Sequence, residues 1–244
     1  MSHEALAIIL AAGKGSRLGL KDIPKPMVEV AGKPILGYVL ELLYMASFTN
    51  ESIIVVVGTQ KESIVGYCGK NAVIKTQDNL NGNLGALEAG LKDFNLEHID
   101  NILVLQADDC LTMRSNILTE MLRFHERRES DVTLLLTSHH NPSAHRKHYI
   151  IDSDGTIISI EHVDQLLGAG NFLAGVFCFS KKFLDNFLQG ALKEKTGGNE
   201  KTIPSLLKLA MENRCRVYGF SFEGPWISIN TPNQLAMARL EALR

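Results

Sequence analysis

Cysteine, tryptophan and net charge are all scarce in this sequence. Its 244 residues include 4 cysteines and 1 tryptophan. Cys68, Cys110, Cys178 and Cys215 lie far apart and form no CxxC pair. That spacing argues against a disulfide framework or a zinc ribbon and reads as reduced core thiols. The formal net charge is -2, from 25 basic and 27 acidic residues, so nothing in the charge balance favours nucleic acid or an anionic membrane as partner. No apolar run approaches the ~18 residues of a membrane-spanning helix. The opening residues lack a basic stretch followed by a long apolar segment and a small-residue cleavage site, so the expected location is cytoplasmic.

What the sequence does contain is alternation. "ALAIILA" (Ala5 to Ala11) is continuously apolar, as suits a strand covered on both faces. Ile35, Leu36, Val39, Leu42 and Leu43 then fall at helical spacing. "SIIVVVG", "AVIKT", "NILVLQADD" and "DVTLLLT" read as further strands; "LGALEAGLKDF" and "SNILTEMLRFHER" read as helices between them. This order predicts βαβ units in a three-layer, doubly wound, mostly parallel α/β sheet of Rossmann-like form, which binds ligands beyond its strand C-termini. The second half is less regular. "YIIDSDGTIISIE" predicts a hairpin turning at Asp154-Gly155, and "NFLAGVFCFS" and "RVYGFSF" predict strands. "KKFLDNFLQG" and "TIPSLLKLAMEN" read as helices, with the polar segment "KEKTGGNEK" between them. "TPNQLAMARLEAL" predicts a closing helix in which Thr231 caps, Pro232 takes the first position and Gln234 completes a capping box. With no repeat and no linker composition, the chain is expected to be one domain over 1-244.

The stretch after the first strand, "LAAGKGSRLGLKDIPKPMVEV", carries the chemistry. Gly13, Gly15 and Gly19 can take positive φ and let backbone approach a ligand. Such a turn gathers N–H groups into an anion-binding concavity. Lys14, Arg17 and Lys25 add positive charge, and Pro24 and Pro26 stiffen the chain around Lys25. The pattern is neither the GxxxxGK phosphate loop nor the dinucleotide GxGxxG, because position 18 is leucine. Further on, Gln77 precedes Gly82 by five positions; a glutamine amide has the donors and acceptor to read a base edge. The fourth strand ends in Asp108 and Asp109. They face opposite ways if extended, so one carboxylate at most would meet a hard cation.

Residues 10–34 resemble the opening motif of the sugar-1-phosphate nucleotidyltransferases, LAAGxGxRL followed by PKxxxxxxGKP. They look closest to the uridylyltransferase domain of the enzymes that make UDP-N-acetylglucosamine. The resemblance implies the nucleotide-diphospho-sugar transferase fold, with a nucleotide-binding half at 1-110 and an acceptor-binding half at 111-244. It implies that Leu10, Ala11, Ala12, Gly13, Lys14 and Gly15 hold a nucleoside triphosphate, with Arg17 and Lys25 as the catalytic arginine and lysine on its phosphates. Gln77 and Gly82 resemble a Q-x4-G segment that reads a pyrimidine, although Asn83 stands where threonine is common. Asp108 matches the family's aspartate for Mg²⁺, with Ala107 in place of the usual glycine. "WISINTP" is similar to the second metal segment: Ser228 replaces an aspartate, and Asn230 matches a metal-binding asparagine.

The acceptor side matches less well. Glu161 resembles a carboxylate that holds sugar hydroxyls, and Gly175 matches the glycine of an acceptor strand. Val163 replaces a lysine, and Leu173 stands where acetamido-sugar enzymes carry asparagine. His139, His140, His145 and His148, with Arg146 and Lys147, suit a polar loop over an acceptor pocket better than a metal site. The expected reaction joins a nucleoside triphosphate, UTP favoured, to a sugar 1-phosphate. The products are an NDP-sugar and pyrophosphate, Mg²⁺ is the cofactor, and a homo-oligomer is left open. The hexapeptide-repeat half of bifunctional relatives is not represented, so a single transferase step is expected. Two other readings stay open: a CTP-dependent cytidylyltransferase for phosphocholine or another phosphorylated alcohol, and a non-catalytic nucleotide-binding relative.

Overall fold

The computed structural model describes residues 5–13, 15, 18–19, 23–59, 61–108, 116–138, 147–162, 170–194, 201–223 and 226–241, with backbone alone at 147, 148, 161 and 162. The first predicted strand is β1 (Ala5–Ala11). A short hairpin follows, β2 (Glu29–Val30) with β3 (Lys33–Pro34), leading into helix α1 (Ile35–Met45). Next come β4 (Ile53–Val57), α2 (Glu62–Cys68), β5 (Val73–Thr76), α3 (Asn83–Leu91) and β6 (Asn101–Gln106). The second half runs α4 (Ile117–Arg127), β7 (Val132–Thr137), β8 (Lys147–Ile151), β9 (Ile157–His162) and β10 (Phe172–Ser180). It closes with α5 (Lys181–Lys193), α6 (Ile203–Glu212), β11 (Val217–Phe222) and α7 (Pro232–Glu241).

Seven strands form one sheet in the order β11-β7-β10-β6-β1-β4-β5. β1 lies parallel to both β4 and β6, β4 is parallel to β5, and β11 is parallel to β7. β10 runs antiparallel to β6 and β7. The expected doubly wound, mostly parallel sheet is therefore present, with one reversed strand. Successive side chains of β1 enter opposite layers. Ala5, Ala7, Ile9 and Ala11 pack in one cluster with Leu36, Leu43, Ile64 and Met121 from α1, α2 and α4. Leu6 and Ile8 pack in the other with Leu84, Leu87, Phe183 and Leu206 from α3, α5 and α6. Each fully buried Leu, Ile, Met or Phe side chain among these contributes roughly 1.5–3 kcal/mol.

Three local expectations need correction. β6 ends at Gln106, so Ala107 and Asp108 form a turn, not a continued extended strand. The β8–β9 connection is wider than a two-residue turn. Gly155 takes φ +85°, and Asp152 Oδ1 accepts from the N–H groups of Asp154 and Thr156. The capping box of α7 is displaced by one residue: Gln234 N–H donates to Thr231 Oγ1, but Gln234 Oε1 accepts from the N–H of Asn230.

Candidate active site

A third apolar cluster decides which distant segments meet. Leu18, Val28, Val30 and Ile35 pack with Ile227, Ile229, Leu235 and Ala238. Because side chains alternate along extended chain, burying Ile227 and Ile229 turns Ser228 and Asn230 the other way. The N–H of Ile229 donates to the carbonyl of Asp108 at 3.1 Å, which stitches this segment to the end of β6. The segment after β1, the end of β6 and the strand-like run before α7 are thus fixed together beyond the C-terminal edge of the sheet.

Lys25 reaches into that junction. It is the first residue of a single 3-10 turn, Lys25–Met27, preceded by extended Pro24 at φ -63° and closed by Met27 N–H to Pro24 O at 2.8 Å. Its ammonium forms an ion pair with Asp108 Oδ2 and donates to Asn230 Oδ1 at 2.9 Å. Lys25 and Asp108 retain 14% and 18% side-chain exposure, enough for a ligand to reach them and too little for full hydration. Asn230 is oriented from behind: its Nδ2 donates to buried Ser228 Oγ, leaving Oδ1 for the ammonium. Ser228, which stands at an aspartate position, therefore serves as a support for the asparagine amide. Among the described residues no group of three or more His, Cys, Asp or Glu side chains could hold a metal. The donor pair that does exist, one carboxylate and one amide oxygen, suits a hard cation, and here a lysine ammonium stands in for one.

The turn after β1 lies beside this junction. Leu10 is half-buried, whereas Ala11 and Ala12 are buried. Gly13 has open space where a side chain would stand, and Gly15 takes φ +60° with a hypothetical Cβ 3.0 Å from Lys25 Cβ. The absence of a side chain at Gly15 thus lets Lys25 cross the turn closely. Leu18 N–H donates to Gly15 O at 3.0 Å and closes it. Lys14 and Arg17 lie outside the described residues.

Gln77 and Gly82, the pair expected to read a base, are also brought together. Gln77 is buried just past β5, and its Nε2 donates to Gly82 O at 3.0 Å and Asn81 Oδ1 at 2.9 Å. The Gly82 carbonyl can only accept, so it fixes which end of the amide is the donor. Asn81 fits because Gly85 has no side chain; a Cβ there would lie 1.8 Å from Asn81 Oδ1. Gly82 itself, at φ +106°, is crowded by backbone: a Cβ would lie 2.2 Å from the carbonyl oxygen of Lys201. Asn81, Gly85 and Lys201 are contributors that sequence reasoning missed, and the contacts that Ser228 and Gln234 make with Asn230 were not foreseen. Only the four-residue spacings 77/81 and 81/85 carried any local signal.

Of the residues expected on an acceptor side, Gly175 lies in β10 at φ +68°, within a bulge that separates the Leu173–Leu136 and Phe177–Leu134 pairs. It comes one residue before Val176, which pairs with Leu105 near the end of β6. Glu161 pairs with His148 across β8 and β9 through the backbone, and its side chain is outside the described residues. His139, His140, His145, Arg146, Val163 and Cys110 are outside them as well. Cys68 and Cys178 are buried free thiols; burial pushes Cys68 up to about 11 and Cys178 higher still, which suits inert core residues.

A mostly parallel sheet with a glycine turn, a buried glutamine amide and a lysine-paired carboxylate beyond its strand C-termini has the nucleotide-diphospho-sugar transferase fold. A thymidylyltransferase structure from Bacillus anthracis, described as a putative glucose-1-phosphate enzyme, superposes with a TM-score of 0.78 at 19% identity, covering 98% of this chain and 95% of that one. The inositol-1-phosphate CTP transferase of T. maritima superposes with a TM-score of 0.77 at 18% identity, covering 99% and 96%. Among curated proteins, the bifunctional protein GlmU of Carboxydothermus hydrogenoformans is 30% identical over 84% of this chain and 45% of its own length. That of Clostridium novyi is 29% identical over 98% and 52%. This chain thus spans about half the length of the curated relatives it matches. The model of the MobA-like NTP transferase domain matches residues 7–199, and the chain belongs to that family of nucleotidyltransferases.

Proposed function

We propose that this chain transfers a nucleotidyl group from a nucleoside triphosphate to a phosphorylated small molecule and releases pyrophosphate. UTP and a sugar 1-phosphate are the favoured pair. The observation that carries the reading is the contact of Lys25 with both Asp108 and Asn230 beside the turn of Gly13 and Gly15. The problem such a site must solve is electrostatic. An oxygen of the acceptor phosphate attacks the α-phosphorus in line; the bond to the bridging oxygen breaks, and pyrophosphate departs with the electron pair. Two polyanions must be aligned and their repulsion neutralised. The glycine turn offers backbone N–H groups to the triphosphate. Arg17 stabilises the leaving pyrophosphate, and Lys25 sits between the α-phosphate and the acceptor phosphate. Asp108 and Asn230 would hold Mg²⁺, which when bound supplies further positive charge to those phosphates. Glu161 and Gly175 belong to the acceptor side of this reading, and the location it implies is the cytoplasm.

Base choice follows from Gln77. Both hydrogens of its Nε2 are engaged, so Oε1 is the atom left to meet a base. An acceptor there suits the imide N–H of uracil or thymine. The amine of cytosine also donates, and Leu173 departs from the acetamido-sugar pattern. A cytidylyltransferase acting on a phosphorylated alcohol is therefore the second reading. The test is a pyrophosphate-release screen of UTP, dTTP, CTP and ATP against sugar 1-phosphates and phosphorylated alcohols. Release with UTP and a sugar 1-phosphate supports the first reading, and release with CTP and a phosphorylated alcohol moves the assignment to the second. Nucleotide binding with no release for any pair leaves a non-catalytic nucleotide-binding protein.

A further inference from the structure

The loop that carries Gly82 is held by a segment far away in sequence. Lys201 N–H donates to Asn81 O at 2.5 Å, and Leu84 N–H donates to Lys201 O at 3.1 Å. These two bonds make a bridge around Gly82. The Lys201 carbonyl fills the space where any side chain at Gly82 would stand. Two positions on, the N–H of Ile203 opens α6 and needs an acceptor, as the first N–H groups of every helix do. Thr202, the residue before α6, supplies no side-chain cap. The acceptor comes instead from Asn83 Oδ1, at 2.8 Å and 120 positions away. Asn83 thus caps a helix to which it does not belong, and the cap clamps the Lys201 bridge onto Asn81 and Gly82. Those two residues in turn hold both hydrogens of the Gln77 amide.

We propose that Asn83 is a positioning residue for nucleotide recognition: by capping α6 it fixes the Asn81–Gly82 loop, and so the face that Gln77 offers to the base. The inference rests on the nucleotide reading above and deepens it. Among the described residues Asn83 shares no hydrogen bond with the Gln77 amide or the Lys25 junction, so its effect runs through the loop. A helix cap is commonly worth about 1 kcal/mol, which corresponds to roughly fivefold to tenfold in an equilibrium. The side chain needs an acceptor oxygen and no donor. A carboxylate supplies one and is additionally favoured at a helix N-terminus.

The test compares Asn83→Ala and Asn83→Asp with the parent chain, by calorimetric binding of UTP, CTP and inorganic tripolyphosphate and by steady-state kinetics. Asn83→Ala is expected to weaken UTP about fivefold to tenfold and to narrow its preference over CTP. Its tripolyphosphate affinity and its kcat at saturating nucleotide should stay within about twofold of the parent. Asn83→Asp is expected to restore parental UTP affinity. Unchanged UTP binding in Asn83→Ala overturns the inference. Equal loss of UTP and tripolyphosphate also overturns it, because that marks general damage and not a misplaced base loop. A parent chain that binds tripolyphosphate but no nucleotide overturns the nucleotide reading itself, and this inference with it.

Discussion

Lys25 and Asn230 are joined by a 2.9 Å hydrogen bond across 205 positions of chain, and the same ammonium pairs with Asp108. A single positive charge therefore sits on the oxygen pair proposed above to hold Mg²⁺. Removing it should expose that pair. Lys25→Met is expected to bind Mn²⁺ at least ~10-fold more tightly than the parent in the absence of nucleotide, because an attraction of opposite charges in a partly buried site is no longer contested. Electron paramagnetic resonance of free Mn²⁺ measures this. Equal Mn²⁺ affinity in the two proteins would show that the ammonium and the ion do not compete.

Asp108→Ala and Arg17→Ala are each expected to lower turnover by ~10²-fold or more, the usual loss when a preorganised charge contact to a transition state is removed. For Asp108 the circular dichroism should stay near that of the parent, since the residue lies in a turn with the Ile229 bond made by its backbone carbonyl. Parental rates in both variants would take these residues out of the mechanism.

Gly82→Ala should damage the base pocket and fold stability together. Its backbone conformation, φ +106° and ψ 179°, costs a residue with a side chain about 1–3 kcal/mol. The added methyl also overlaps the backbone of Lys201. Chemical denaturation would measure the loss. A melting curve superimposable on the parent's would mean that the Lys201 bridge gives way freely.

His125 should make stability depend on pH. It lies on the buried face of α4, with Nδ1 2.8 Å from Thr133 Oγ1 on β7. Burial pulls its pKa from the usual value near 6.5 down to about 4; nearby Asp131 opposes this and Arg216 reinforces it. The unfolded chain therefore binds a proton below pH ~6.5 that the folded chain refuses until about pH 4. This group's contribution is complete above ~6.5 and is lost as the pH falls through that window, by up to about 3 kcal/mol. Urea titrations at several pH values should show the slope, and His125→Gln should flatten it. An identical slope in the variant would assign the pH dependence to other groups.

Much of the fold was legible because its signals are local. The unbroken apolar run of β1 announced a strand covered on both faces, and the spacing of Ile35, Leu36, Val39, Leu42 and Leu43 announced α1. Helix α2 was not read: it is seven residues long, buries only Ile64 and Cys68, and carries no side-chain cap. The end of β6 was read too far, because an apolar strand gives no mark where a turn begins. In the site, Lys25, Asp108, Asn230 and the Gln77–Gly82 pair stood out through motif resemblance. The roles of Ser228, Gln234 and Lys201 did not, since each acts on a partner through contacts that no spacing rule states.

The sequence alone determined the alternation of strand and helix, the glycine turn with its basic residues, and the near-neutral charge, because period, turn chemistry and composition are properties of neighbours along the chain. The tertiary structure alone decided that Asn230 faces Lys25, that Asn83 caps α6, and that Gly82 is glycine to admit Lys201. Those facts depend on closing two sheet faces and a third apolar cluster at once, and the position of each segment is set by the burial of all the others.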